Sequence, residues 1–191
     1  MNKKILRFAQ NDKYKINMEK QFTLSVFTED ALGMLTRLTV ILTRRRIKIE
    51  SITACECEVD GICRYTIVIN ADEEQAKKIA QQMEKQVEVF KAFAHPNDET
   101  VFREIALYKL PVEKLSGKLE LILRKHNASV VALEPSFAIV EKTGHEEELN
   151  LLLHELKNFG VLEFARSGRV AISKPMKPLI NYLNEKQIFI N

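Results

Sequence analysis

The sequence predicts an α+β protein built from two tandem βαββαβ units, each an antiparallel sheet with both helices on one face. Three observations carry this. The order strand, helix, strand, strand, helix, strand runs over residues 21–95 and recurs over residues 100–174. The end of the first unit, Ile79-Ala80-Gln81-Gln82-Met83-Glu84-Lys85-Gln86-Val87-Glu88-Val89-Phe90, matches Leu151-Leu152-Leu153-His154-Glu155-Leu156-Lys157-Asn158-Phe159-Gly160-Val161-Leu162-Glu163-Phe164. Both are amphipathic helices breaking into a short strand. Between the units stands His95-Pro96-Asn97-Asp98-Glu99, polar and interrupted by proline, with residues 96–99 read as the linker. A repeat this long is a duplicated domain, because each copy can bury one sheet face under two helices.

In the first unit, residues 22–27 are dense in strand-forming apolar side chains. Asp30-Ala31-Leu32-Gly33 turns into a helix on which Leu35, Leu38 and Leu42 recur, with Met34 and Ile41 widening the stripe. Residues 47–58 supply the next strand, Asp60-Gly61 is a two-residue hairpin signal, and residues 62–69 return. A helix over 72–86 buries Ala76, Ile79, Ala80 and Met83, and residues 87–93 close the unit.

The second unit places strands at 101–110, 129–133, 136–140 and 161–165. Its helices carry Leu115, Leu119, Ile122 and Leu123, then Leu149, Leu152, Leu153 and Leu156. Beyond Pro175 and Pro178, the tail over 175–191 has the pattern of one last amphipathic helix at residues 179–183, with no role legible. Residues 1–20 are expected to be a disordered extension. Met18 lies just before the first strand, so synthesis starting there is a hypothesis that an intact mass including residues 1–17 would end.

With 191 residues and 46% apolar composition, the chain can form one medium core or two small ones, and the repeat selects two. A net charge of +3 demands no polyanionic partner. Arg44-Arg45-Arg46 ends a predicted helix, where cations complement the carbonyl end of the dipole. No apolar run approaches the ~20 residues of a membrane span, and the basic start is too short in apolar residues for an export signal. Three cysteines cannot all pair, which with that start implies reduced thiols in a cytoplasmic setting. Cys55 and Cys57 fall on one face of a predicted strand and lack zinc-pair spacing, so buried or half-buried strand cysteines are expected and no metal. His95, His126, His145 and His154 are scattered without a nucleophile or acid at catalytic spacing, and no catalytic residue is assigned.

Such a unit adopts the ferredoxin-like arrangement, which leaves the second sheet face open. That face needs cover from the duplicate, a second copy of the chain or another protein.

Asp30-Ala31-Leu32-Gly33-Met34-Leu35-Thr36-Arg37-Leu38, Ile49-Glu50-Ser51-Ile52, Arg103-Glu104-Ile105-Ala106-Leu107-Tyr108-Lys109 and Ala165-Arg166-Ser167-Gly168 occur in this order. Together they resemble the small regulatory subunit of acetolactate synthase, built from ACT-type domains, over about residues 21–174. The resemblance implies a chain without its own active site. It would bind and activate the large catalytic subunit, which makes acetolactate from pyruvate in branched-chain amino acid biosynthesis, and pass on inhibition by valine or a relative such as leucine or isoleucine. Thiamine diphosphate, magnesium and FAD are expected in the large subunit and no cofactor in this chain. A homodimer through the first unit is implied.

The effector-binding residues so implied are Asp30, Ala31, Leu32, Gly33, Met34, Leu35, Lys48 and Ile49. A helix N-terminus offers free N–H groups to a carboxylate, and Gly33 lets a ligand approach the backbone. Leu32, Met34 and Leu35 would wall an apolar pocket, and Asp30 would accept from the ammonium. The plainer alternative is that Asp30 caps the helix and Gly33 relieves a turn. The family commonly carries asparagine at the positions of Asp30 and Lys48. Lys48 would repel the ligand's ammonium, or reach its carboxylate, or pair with Asp30 of a neighbouring chain.

Two rivals remain. A ferredoxin-like RNA-binding module would need exposed aromatics on its central strands, and only Tyr65 and Phe27 offer themselves. A free-standing amino-acid-sensing ACT protein would use the same fold without an enzyme partner.

Overall fold

The computed structural model describes residues 20–185, so nearly all of the N-terminal extension, including Met18, and the end of the tail lie outside it. In the first unit β1 (Lys20–Glu29), α1 (Met34–Arg44), β2 (Ile49–Glu56), β3 (Ile62–Ala71), α2 (Glu73–Met83) and β4 (Val89–Pro96) form an antiparallel sheet of order β2-β3-β1-β4. Leu24, Val26, Ile67 and Ile69 face Leu38, Leu42, Ile79 and Met83 of the two helices, and all eight are fully buried. Each such side chain contributes about 2–3 kcal/mol, so this face holds the unit together. Asp72 starts α2, its side chain accepting from the Gln75 N–H at 2.8 Å.

The second unit repeats the strand order. β5 (Thr100–Pro111), α3 (Gly117–Lys125), β6 (Ser129–Leu133), β7 (Phe137–Gly144), α4 (Glu146–Leu156) and β8 (Glu163–Arg166) give β6-β7-β5-β8. Its core joins Ala106, Tyr108, Leu110 and Val140 to Leu119, Leu123, Leu149, Leu152 and Leu156. The Tyr108 hydroxyl donates to the Leu149 carbonyl at 2.8 Å, and burial pushes its pKa up to about 12.

Several boundaries differ from the sequence reading. Pro96 does not interrupt the ladder: it is the last residue of β4, opposite Phe22, and β4 is an edge strand whose outer side needs no N–H there. Residues 97–99 form a single 3-10 turn. The strand read as 47–58 is only Ile49–Glu56, with Cys57 in the hairpin closed by Gly61 at φ +74°. Cys55 is exposed rather than buried or half-buried, because it sits on the free edge strand β2. Leu115 precedes α3 as extended backbone yet still packs on the second core.

The larger finding concerns the supposedly open face of the first sheet. After β8 the chain forms β9 (Val170–Ser173), pairing with residues 100–103 of β5, and then α5 (Leu179–Glu185). Leu179 and Leu183 of α5 bury Phe27 and Ile62 on the sheet face opposite α1 and α2, joined by Phe90, Phe93 and Met176. The cover comes from the duplicate's own tail.

Candidate functional site

The turn between β1 and α1 is built by backbone conformation. The Asp30 N–H donates to the Gly61 carbonyl at 3.2 Å and the Ala31 N–H to the Glu29 carbonyl at 2.9 Å, which ends β1 sharply. Gly33 then adopts φ +83°, a left-handed conformation that side chains disfavour, and serves as the N-cap of α1. No side chain bonds to the helix start and no acidic residue lies in its first turn. Asp30 is therefore not the cap. The partial positive charge of the helix end faces open space, since a Cβ built on Gly33 would meet nothing within 4 Å.

Around this opening Leu32 is 100% exposed and Leu35 about half exposed at 47%. Ala31 is half-buried against the core, and Asp30 is exposed. Met34 differs from expectation: it is buried among Leu38, Ile41 and the sheet, so its side chain anchors the helix instead of walling a pocket. One turn into the helix, Arg37 pairs with Glu88.

Lys48 and Ile49 lie elsewhere in the same chain. Ile49 pairs with Ile69, which pairs with Phe22, whereas Asp30 follows at the far end of β1. Eight positions along an extended strand separate them by about 26 Å. Lys48 is mostly exposed and pairs with Glu50, 3.1 Å from Oε1 and 3.3 Å from Oε2, and Glu50 Oε1 also accepts from Asn70 at 3.1 Å. Ile49 is half-buried against the core. One chain thus holds the predicted residues as two separate groups.

The sequence reading missed a set of residues at the seam between the units. Arg169, only 3% exposed, donates to Thr23 and to Asn97 at 2.8 Å each, also reaches Gln21, and lies over the Phe102 ring at 3.6 Å. Arg64 donates to the Ala171 carbonyl at 2.6 Å and to Ser25 at 3.3 Å. Thr53 of β2 donates to the Arg169 carbonyl at 2.8 Å. A Cβ on Gly168 would stand 2.9 Å from the Thr53 methyl and 3.3 Å from the Ile52 carbonyl, so glycine permits the close approach of this loop to β2. The lone charge of Arg64 within Ile62-Cys63-Arg64-Tyr65-Thr66-Ile67-Val68 was the available signal, because a buried cation in an apolar strand requires partners.

The aromatics that RNA stacking would need are not available: Phe27 is fully buried beneath α5 and Tyr65 is 8% exposed. Two histidines do meet acids, His95 with Glu99 at 3.2 Å and His126 with Glu155 at 3.1 Å. These are polar contacts with no nucleophile beside them among the described residues, with Lys125 also on Glu155.

Residues 103–175 match the family model described as the small subunit of acetolactate synthase, and residues 24–91 match the acetohydroxyacid synthase small subunit-like ACT domain. The chain is 34% identical to the acetolactate synthase small subunit of Mycobacterium bovis over 158 residues, 81% of this chain and 93% of that protein. It is 33% identical to the one from Bacillus subtilis over 160 residues, 82% of this chain and 91% of that protein. The crystal structure of the small subunit from Thermotoga maritima superposes with a TM-score of 0.74 at 26% identity, covering 81% of this chain and 97% of that one.

Proposed function

The chain belongs to the family of acetolactate synthase small subunits, and we propose that it is the regulatory partner of a large catalytic subunit. In this role it raises the large subunit's rate of acetolactate formation and transmits inhibition by valine or a related branched-chain amino acid. Thiamine diphosphate, magnesium and FAD then belong to the partner, and the pair works in the cytoplasm. The chain itself carries no catalytic centre on this reading.

The observation that carries the effector site is the uncapped start of α1 at Gly33, with free approach to the backbone and with Leu32 and Leu35 exposed beside it. A carboxylate suits the N–H groups and a branched side chain suits the two leucines. Asp30, exposed in the same turn, would accept from the ammonium. Ala31 and Met34 hold the turn against the core.

The second group, Lys48 and Ile49, reaches this site only from a second copy. If the edge strands β2 of two chains pair antiparallel, the Lys48 end of one meets the Glu56 end of the other. Glu56 pairs with Cys63, which also pairs with Thr28 at the Asp30 end of the sheet. A homodimer with two symmetric sites follows. Because Lys48 already pairs with Glu50, its charge is partly met before any ligand arrives.

Calorimetric titration with valine, leucine and isoleucine tests this reading. Binding of at least one of them, weakened by Gly33→Val, is expected. Lys48→Asn should tighten valine binding if the cation repels the ammonium. No heat with any of the three would remove the effector role while leaving the partnership to be tested separately.

A further inference from the structure

Cys55 in β2 and Cys57 just past its end share one sheet face. Cys55 stands opposite Arg64 in the strand register, and Arg64 lies over the Phe27 ring at 5.3 Å, on the face that α5 covers. Cys57 packs on that same cluster. Cys63 points the other way, because it stands opposite Glu56 and is buried in the core beneath α1 and α2. The three thiols therefore divide into a same-face pair and a single buried group.

The spacing allows a bond within the pair. Positions two apart on a strand lie about 6.4–6.8 Å from each other, and a disulfide joins Cα atoms about 4.4–6.8 Å apart. The Cys57 N–H donates to the Ile62 carbonyl at 3.0 Å as the last rung before the hairpin, so a small contraction there leaves the rest of β2 in place. Access ranks the two thiols. Cys55 is exposed, whereas Cys57 is half-buried, with its Sγ–H donating to the Val59 carbonyl at 3.6 Å and burial pushing its pKa up. Arg64 is the neighbouring cation: it donates to the Ala171 carbonyl and to Ser25, no carboxylate among the described residues pairs with it, and both thiols act on its charge. Partly exposed, electropositive surroundings are those in which cysteines react.

We propose that Cys55 and Cys57 form a thiol–disulfide exchange site, which takes a small-molecule disulfide such as oxidised glutathione and closes into a Cys55–Cys57 bridge. Cys55, as thiolate, attacks one sulfur of the reagent, whose S–S bond breaks and whose first half leaves as a thiolate that takes up the proton Cys55 has lost. Cys57 then loses its proton and attacks the Cys55 sulfur, and the second half leaves as a thiol. Two protein thiols are oxidised, and one glutathione disulfide is reduced to two thiols. In a reducing compartment the pair rests as thiols and closes only when the poise turns oxidising. Both sulfurs lie on a sheet face, so edge-to-edge pairing of β2 with another strand leaves Cys55 within reach. The bridge also acts on the β1–α1 turn, because the hairpin that follows Cys57 carries the Gly61 carbonyl to which the Asp30 N–H donates.

The test treats the whole chain with oxidised glutathione, blocks the remaining thiols with N-ethylmaleimide in denaturant and reads the intact mass. The untreated chain takes three labels, one per cysteine. The oxidised chain should take a single label and carry no glutathione. Cys57→Ser should stop with one glutathione on Cys55, Cys55→Ser should keep both of its thiols, and Cys63→Ser should still close the bridge. Three labels after oxidation, a wild-type chain left glutathionylated, or a bridge that survives Cys55→Ser would overturn the proposal. Amide NMR reads the coupling to the turn. Closing the bridge should shift the Gly61 and Asp30 resonances and dithiothreitol should restore them, whereas resonances that stay in place would remove that link.

Discussion

The two units share a strand order yet differ in how their central strands are buried. β5 alternates, with Glu104, Ala106, Tyr108 and Leu110 inside and Ile105 and Leu107 about 40% exposed. β1 does not alternate: residues 22–28 are all buried. Its Thr23, Ser25 and Phe27 point to the face that Arg169, Arg64 and α5 cover. The same topology therefore makes one sheet covered on both faces and one covered on a single face. The lesson is that the tail after β8 is, energetically, part of the first unit.

The severest way to break this comparison is to end the chain after residue 174. Losing α5 removes two buried leucines and exposes Phe27 and Ile62, roughly 5 kcal/mol or more, comparable to the whole stability of many domains. Thermal unfolding should show the first unit melting early or aggregating. An unchanged transition would contradict the shared core. Next in size is Arg169→Ala, which strands Thr23, Asn97 and Gln21 beneath β9 and should cost about 3–4 kcal/mol in chemical denaturation. The same substitution at exposed Arg124 should cost next to nothing.

Gly168→Ala sharpens the comparison at one atom, since its methyl must push Thr53 and the Ile52 backbone away. About 1–3 kcal/mol is expected, and restoration by the second change Thr53→Ser would show that the contact, and not backbone conformation, is responsible.

Tyr108→Phe tests the second core alone and should cost about 1 kcal/mol at neutral pH. The wild-type phenol titrates near 10 when unfolded and at about 12 in the fold, so the folded state holds its proton longer. Its contribution is complete below pH 10 and is lost as pH rises to 12, up to about 2.7 kcal/mol. The variant should lack that part of the alkaline decline. Smallest of all, Leu107→Thr on the uncovered face should change stability by about 0.5 kcal/mol or less.

Much of this fold was legible because helical spacing of leucines and the Asp60-Gly61 hairpin are local signals. The covered face was not. Thr23 and Ser25 alternate with Leu24 and Val26 as solvent-facing residues would, and only the distant Arg169 and Arg64 explain why they are buried. The candidate effector turn was legible at Gly33, whose left-handed backbone needs glycine, but the burial of Met34 depends on how α1 lies on the sheet. The resemblance placed Lys48 across a dimer, and the strand register agrees that it cannot reach Asp30 within its own chain. Ala165-Arg166-Ser167-Gly168 marked the family without disclosing its task, which is a docking contact between residues far apart in sequence.

The most direct measurement is to add this chain to the separately purified large subunit and follow acetolactate formation with and without valine. The account predicts a higher rate on mixing, reduced by valine, with Gly33→Val keeping the activation and losing the inhibition. A rate unchanged by the chain, or acetolactate made by the chain alone, would contradict it.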